Sequence, residues 1–172
     1  MREAQECSRL AAVHGQGGVK EIPITRGLVA LVDDEDYERI VAAGPWHATG
    51  NQRLPYAQCT HGGINFQMHR YLLEARPDQE IDHINGNGLD NQRANLRFCT
   101  RSQNHANKPK RPNCSSKFKG VWWSQQKNCW SAQVSTRRLG LFKNEENAAR
   151  AYDKAAREKW GEYARTNFPD SE

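Results

Sequence analysis

This chain has little from which to build one large core and nothing obvious with which to enter a membrane. Only 37% of its 172 residues are hydrophobic and its mean hydropathy is −0.94. No apolar run approaches the roughly 18–20 residues that a membrane-spanning helix needs. Met1 to Leu10 is charged and lacks the apolar stretch of a secretory signal. The expectation is a cytoplasmic protein with no signal peptide and no transmembrane segment. The five cysteines (Cys7, Cys59, Cys99, Cys114, Cys129) include no Cys-x-x-Cys pair. That absence speaks against a structural zinc or a disulfide framework and for free thiols in a reducing compartment. What is present is five Trp, five Tyr and five Phe, enough to seed two or three small cores instead of a disordered chain.

A second absence is local. Between Arg101 and Lys143 there are ten basic residues and no acid. The net charge of +5 hides this asymmetry, because residues 1–100 hold 10 Lys/Arg against 13 Asp/Glu and residues 101–172 hold 15 against 7. An acid-free basic stretch repels itself unless an anion lies beside it, and phosphate is the usual partner. Trp122, Trp123 and Trp130 interleave with these charges, as suits strands that touch both the backbone and the bases of a nucleic acid.

The pattern predicts an α+β chain of small modules. Residues 1–20 read as a flexible tail and 21–77 as a β-rich lead-in. Within the lead-in, Glu21–Thr25 and Leu28–Val32 are strands about Arg26-Gly27. The acidic run Asp33-Asp34-Glu35-Asp36 opens a helix over Asp34–Ala43, where acids cap the positive end of the dipole. Residues 109–116, with two prolines and two serines, read as a basic linker. Residues 117–169 contain three strands and then a helix from Glu145 to Trp160. Its apolar positions Ala148, Ala149, Tyr152, Ala155, Ala156 and Trp160 repeat with a 3.6-residue period.

The densest chemistry lies in residues 78–108. Ile81-Asp82-His83-Ile84 reads as a strand, Asn85 to Asn95 as a Gly/Asn-rich loop and Leu96 to Cys99 as a second strand. Thr100-Arg101-Ser102-Gln103 has capping-box form and starts a helix. Strand, loop, strand and helix would bring Asp82 and His83 beside the first turns of a helix carrying Asn104. That set suits phosphodiester hydrolysis. His83 is a candidate general base, since imidazole can be neutral at pH 7. The Asp82 carboxylate and Asn104 amide oxygen are candidate ligands for a hard divalent cation, Mg²⁺ or Mn²⁺, one per site. His105 is adjacent to Asn104 but points about 100° away on a helix, so Asn104 is preferred.

Asp-His-Ile-Asn-Gly-Asn, Asn-x-x-x-Asn-Leu-Arg and Thr-Arg-Ser-Gln-Asn resemble, in that order, the HNH nucleases with a ββα-metal fold, especially phage and intron homing endonucleases. With the lead-in segments Ile-Pro-Ile-Thr-Arg-Gly and Met-His-Arg-Tyr-Leu-Leu, the resemblance covers about residues 21–108. It implies Asp82 and Asn104 as metal ligands and His83 as general base. It also implies Asn95 as the middle Asn, bracing the loop so that His83 is aimed.

Phe118-Lys-Gly-Val-Trp, Trp130-Ser-Ala-Gln-Val, Leu139-Gly-Leu-Phe, Glu146-Asn-Ala-Ala-Arg-Ala-Tyr-Asp and Asn167-Phe-Pro resemble the plant ethylene-response-factor (Apetala-type) DNA-binding domain. The resemblance implies a three-stranded antiparallel sheet in the major groove with one helix behind it. Lys119, Trp122, Trp123, Gln133 and Ser135 match the reading face, with Arg137 and Arg138 on the next hairpin. In that setting Gln pairs with adenine, Arg with guanine, and Lys favours phosphate. Trp130 is assigned to the core. The hairpin between Val134 and Leu139 is shorter than the family's, and Trp122 and Trp123 stand where the plant proteins commonly carry Arg. The expected whole is a monomeric, phage- or prophage-encoded homing endonuclease acting on double-stranded DNA. The alternative is a non-enzymatic DNA-binding regulator.

Overall fold

The computed structural model describes residues 18–168, so most of the predicted tail lies outside the described residues. The chain is α+β and forms two compact units.

One unit comprises residues 18–74 together with Asn87–Asn95. Its strands β1 (Val19–Ile24) and β2 (Leu28–Asp33) pair antiparallel from Val19↔Asp33 to Ile24↔Leu28. The first strand therefore takes in Val19 and Lys20, so the lead-in starts before residue 21. Alternation places Ile22, Ile24, Ala30 and Val32 inside. The acidic run forms a tight 3-10 turn over Asp34–Asp36 and delays α1 to Tyr37–Ala43. None of these acids caps the helix through its side chain, which corrects the capping expectation. Asp36, buried, instead takes a two-pronged bond from Arg93 (Nε 2.6 Å, Nη2 2.7 Å), and Asp33 accepts from the Arg93 backbone N–H at 2.8 Å. The guanidinium's pKa is raised by the Asp36 bond. Leu31 both donates to Leu89 O and accepts from Asn91 N at 2.8 Å, so Asn87–Asn95 is bonded along β2 as well.

The same unit holds β3 (His47–Asn51), β4 (Leu54–His61) and β5 (Ile64–Gln67), an antiparallel sheet in that order. It is followed by α2 (Met68–Leu72). Ile40, Met68 and Leu72 are fully buried, and Trp46 donates to Ile40 O at 2.7 Å while packing edge-on against Phe66 and Tyr71.

The other unit comprises Ala75–Gly86 and residues 96–168. It opens with β6 (Glu80–His83) and β7 (Leu96–Cys99), paired antiparallel, and α3 (Arg101–Asn107). The capping box that starts α3 is complete: Thr100 Oγ1 accepts from Gln103 N at 3.2 Å and Gln103 Oε1 from Thr100 N at 2.7 Å. Then β8 (Val121–Ser124), β9 (Cys129–Val134) and β10 (Arg137–Phe142) form an antiparallel sheet in the order β10-β9-β8. Helix α4 (Glu145–Trp160) lies on it, with Ala148, Ala149, Tyr152, Ala155 and Ala156 buried against Val121, Ala132 and Val134. Asn144 caps α4 by accepting from Glu146 N and Asn147 N at 2.7 and 3.2 Å. The small residues allow close approach, and Gly120 shows how close. A Cβ there would run into the Tyr152 ring.

The sequence motif Asn167-Phe closes this fold. Buried Asp153 accepts from Asn167 N, Asn167 Nδ2 and Phe168 N, each at 2.9 Å. Asn167 also bonds the backbone of Lys119 on both sides. Residues just after α4 reach β7 and α3. Tyr163 donates to Phe98 O at 3.2 Å, Trp160 Nε1 to Ser102 Oγ at 3.0 Å, and Arg165 N to Ala106 O at 3.2 Å.

Candidate active site

Asp82 and His83 end a four-residue strand and are 6% and 5% exposed. A buried carboxylate must find donors, because leaving it bare is costly. Asp82 finds two kinds. Its β7 neighbour across the ladder is Arg97, whose Nε and Nη2 donate to Oδ2 at 3.1 and 2.9 Å. From α3, Asn107 Nδ2 donates to both carboxylate oxygens, at 3.1 and 3.0 Å. The same Nδ2 donates to His83 O at 2.8 Å and Ile84 O at 3.1 Å. One buried amide thus ties the last turn of α3 to the end of β6.

The Cys99 thiol at the other end of β7 is pushed up to about 11, first by burial and then by the negative charges of Asp82 and Glu80. The four cysteines among the described residues are free thiols.

The expected residues separate as follows. Asp82 and His83 stand together at the end of β6 beside α3. Asn104 is on α3, but its amide donates to Glu80 Oε2 at 2.9 Å, and the amide that reaches Asp82 is that of Asn107. Asn95 ends the segment Asn87–Asn95 of the other unit, where its Nδ2 donates to Asp90 O at 2.7 Å and closes its own loop. Asn107 and Arg97 were both missed by the sequence reading. The available signals were a second Asn three positions after Asn104, hence on the same helix face, and an Arg placed opposite Asp82 in any hairpin that also pairs His83 with Leu96.

The expected DNA-reading residues also divide. Trp122 and Ser131 face each other across β8 and β9, as do Gln133 and Arg138 across β9 and β10. Alternation sets these side chains opposite the core-facing Ala132 and Val134, so Trp122, Gln133 and Arg138 share the face away from α4. Trp123 pairs with Trp130, the two rings edge-on at 5.1 Å, on the α4 side. Ser135 sits in the β9–β10 turn at φ 52°, with Arg137 just beyond it. Lys119 turns inward and donates from Nζ to Ala106 O at the end of α3. Burial and nearby Arg165 lower its pKa to about 8.

Residues 75–106 match a family described as HNH endonuclease, so the ββα segment carries the signature of a nuclease domain. Over 113 residues, 60% of this chain, it is 34% identical to an uncharacterized HNH endonuclease of Acanthamoeba polyphaga mimivirus. Over 59 residues, 32% of this chain, it is 49% identical to an AP2/ERF and B3 domain-containing protein of Oryza sativa subsp. japonica. The chain spans 58% of the viral relative and 16% of the rice protein. No solved structure matches it.

HNH nucleases commonly use a divalent metal, and oxygen donors of the kind such an ion takes gather at the end of β6. Asp82 offers carboxylate oxygens of the kind a hard cation takes, while the Asn104 and Asn107 amides face Glu80 and Asp82 with their nitrogens. Around Asn107 Nδ2 the Asp82 carboxylate and the carbonyls of His83 and Ile84 already form an oxygen-rich cradle.

Proposed function

We propose that this chain is a metal-dependent DNA endonuclease of the HNH homing type that hydrolyses phosphodiester bonds in double-stranded DNA. The observation that carries the reading is the carboxylate–imidazole pair Asp82-His83, fixed at a strand end by the buried Asn107 amide of the following helix. The matches of residues 75–106 to a nuclease family and of the chain to a viral nuclease support it.

In this reading Asp82 and Asn104 hold one Mg²⁺ or Mn²⁺ ion, with Asn107 beside them. The ion supplies Lewis-acid stabilisation of charge on the phosphate and the leaving oxygen. His83 is the general base, its unprotonated ring nitrogen taking the proton from the attacking water. Asn107, bonded to His83 O, sets the backbone from which the imidazole projects. Asn95 braces the loop that leads back into β7.

The face carrying Trp122, Gln133 and Arg138 is assigned to DNA, with Ser135 and Arg137 at its rim. The partial match to the rice AP2/ERF and B3 domain-containing protein supports that assignment. Lys119 and Trp123 then act by holding the sheet in place. Phage or prophage origin, action as a monomer in the bacterial cytoplasm and the absence of structural zinc complete the reading. No helix among the described residues is long and apolar enough to cross a membrane.

The test is incubation of supercoiled plasmid and source DNA with the full chain and Mg²⁺ or Mn²⁺. Nicking or cutting that EDTA stops, and that His83→Ala abolishes while DNA binding persists, is the expected result. Binding without any cleavage would favour the second reading, a non-enzymatic DNA-binding regulator.

A further inference from the structure

Asp82 does not await a cation as a bare carboxylate. Arg97 already neutralises it, at 2.9 and 3.1 Å, and both side chains are largely buried (side-chain exposure 7% for Asp82 and 12% for Arg97). Arg97 is moreover held from behind. Its Nη1 donates to Glu162 O at 3.1 Å and its guanidinium lies 4.1 Å over the Tyr163 ring. Both partners belong to the turn Gly161–Tyr163 that ends α4. The guanidinium is thus held between the Asp82 carboxylate and the turn that ends α4.

A fixed positive charge within hydrogen-bond distance of a candidate metal ligand has a definite electrostatic effect. It cancels the attraction that would bring a divalent cation to Asp82 and then repels the ion once it is there, in a site where burial weakens screening. An added anion reverses the balance, and the anion the substrate brings is the DNA phosphate.

We propose that Arg97 is a positioning residue that makes divalent-cation binding at Asp82 depend on a DNA phosphate, so that the chain loads its metal tightly only on DNA. This rests on the reading that Asp82 holds the metal, and the test separates the two. Mn²⁺ binding to the DNA-free full chain is titrated by the electron paramagnetic resonance signal of free Mn²⁺, for wild type, Arg97→Gln, Arg97→Lys, Asp82→Asn and the Asp82→Asn/Arg97→Gln double variant. The expected result is affinity about tenfold tighter in Arg97→Gln, unchanged within about threefold in Arg97→Lys, and loss of the gain in the double variant.

Equal affinity in wild type and Arg97→Gln, with weaker binding in Asp82→Asn, would overturn the role of Arg97 and leave the metal site standing. Affinity indifferent to Asp82→Asn in every background would overturn the metal site itself. Circular dichroism checks that the variants fold. Should Arg97→Gln not fold, the His83→Ala chain is titrated with and without a random duplex of about 20 base pairs. At least about tenfold tighter Mn²⁺ binding on DNA is expected, and no change overturns the proposal.

Discussion

Two asparagines on one short helix have different work to do, and substitution separates them. Asn104 bonds an exposed strand-end glutamate, whereas Asn107 is buried and its two amide hydrogens are shared among four oxygens on β6 and its exit. Asn107→Ala removes the donor from a buried carboxylate, and a loss of about 1–3 kcal/mol in urea unfolding is expected. Cleavage should fall with it. Asn104→Ala should leave unfolding within about 0.5 kcal/mol of wild type and lower cleavage only through metal affinity, visible as partial rescue by excess Mn²⁺. The motif's Asp-His pair was readable from residue order alone. Asn107 and Arg97 were not, because their importance comes from register across a ladder and from the last turn of α3.

Two titrations at the same scale oppose each other. The Lys119 amine falls from 10.5 to about 8, so its contribution to stability is present above about 10.5 and is lost as pH falls through 8. The Cys99 thiol rises from 9.0 to about 11, so its contribution is present below 9.0 and is lost as pH rises through 11. Between about pH 9 and 10.5 the two slopes have opposite sign. Cys99→Ser should therefore yield a chain whose denaturation midpoint climbs across that window. Lys119→Met should yield one whose midpoint drops. Identical profiles for both variants and wild type would contradict the two assignments.

Among the elements, α4 was the most legible, because the 3.6-residue period of its alanines, its Asn144 cap and Gly161 all appear in the sequence and all recur in the fold. The strands of the C-terminal sheet were legible as strands but not as faces. Trp122 and Trp123 are neighbours of the same kind, and only the pairing of Trp123 with Trp130 shows which of them looks toward α4. The acidic run before α1 had the composition of a cap. It is a docking point for Arg93, a partner 57 residues away that Asp33 and Asp36 both bond. Gly120 belongs to this scale too. It has φ +75° and no room for a Cβ beside Tyr152, so Gly120→Ala combines a left-handed backbone with overpacking. A cost of about 2–4 kcal/mol in thermal or urea unfolding is expected, with the sheet–helix contact the part that loosens.

For the molecule as a whole, the basic stretch from Arg101 to Lys143 is not one uniform track. Lys119 is spent inside the fold on Ala106 O, while Arg138 stands exposed on the sheet face with Trp122 and Gln133. Arg138→Ala should lower DNA affinity and reduce the slope of log affinity against log salt by about one. Lys119→Met should leave that slope unchanged, as measured by fluorescence anisotropy across a salt series.

The bonds that Ala106 O receives from Lys119 and Arg165 bear on how such proteins can be assembled from parts. Residues 109–116 look like a convenient seam at which the C-terminal sheet-and-helix module could be exchanged for another. A foreign cassette spliced there would arrive without the aromatic ring behind Arg97 and without the lysine under α3. The ββα segment would keep all of its motif letters yet lose the back wall of its candidate site. Exchange of that module therefore requires that Tyr163, Arg165 and Lys119 travel with the ββα segment, as part of its own interior.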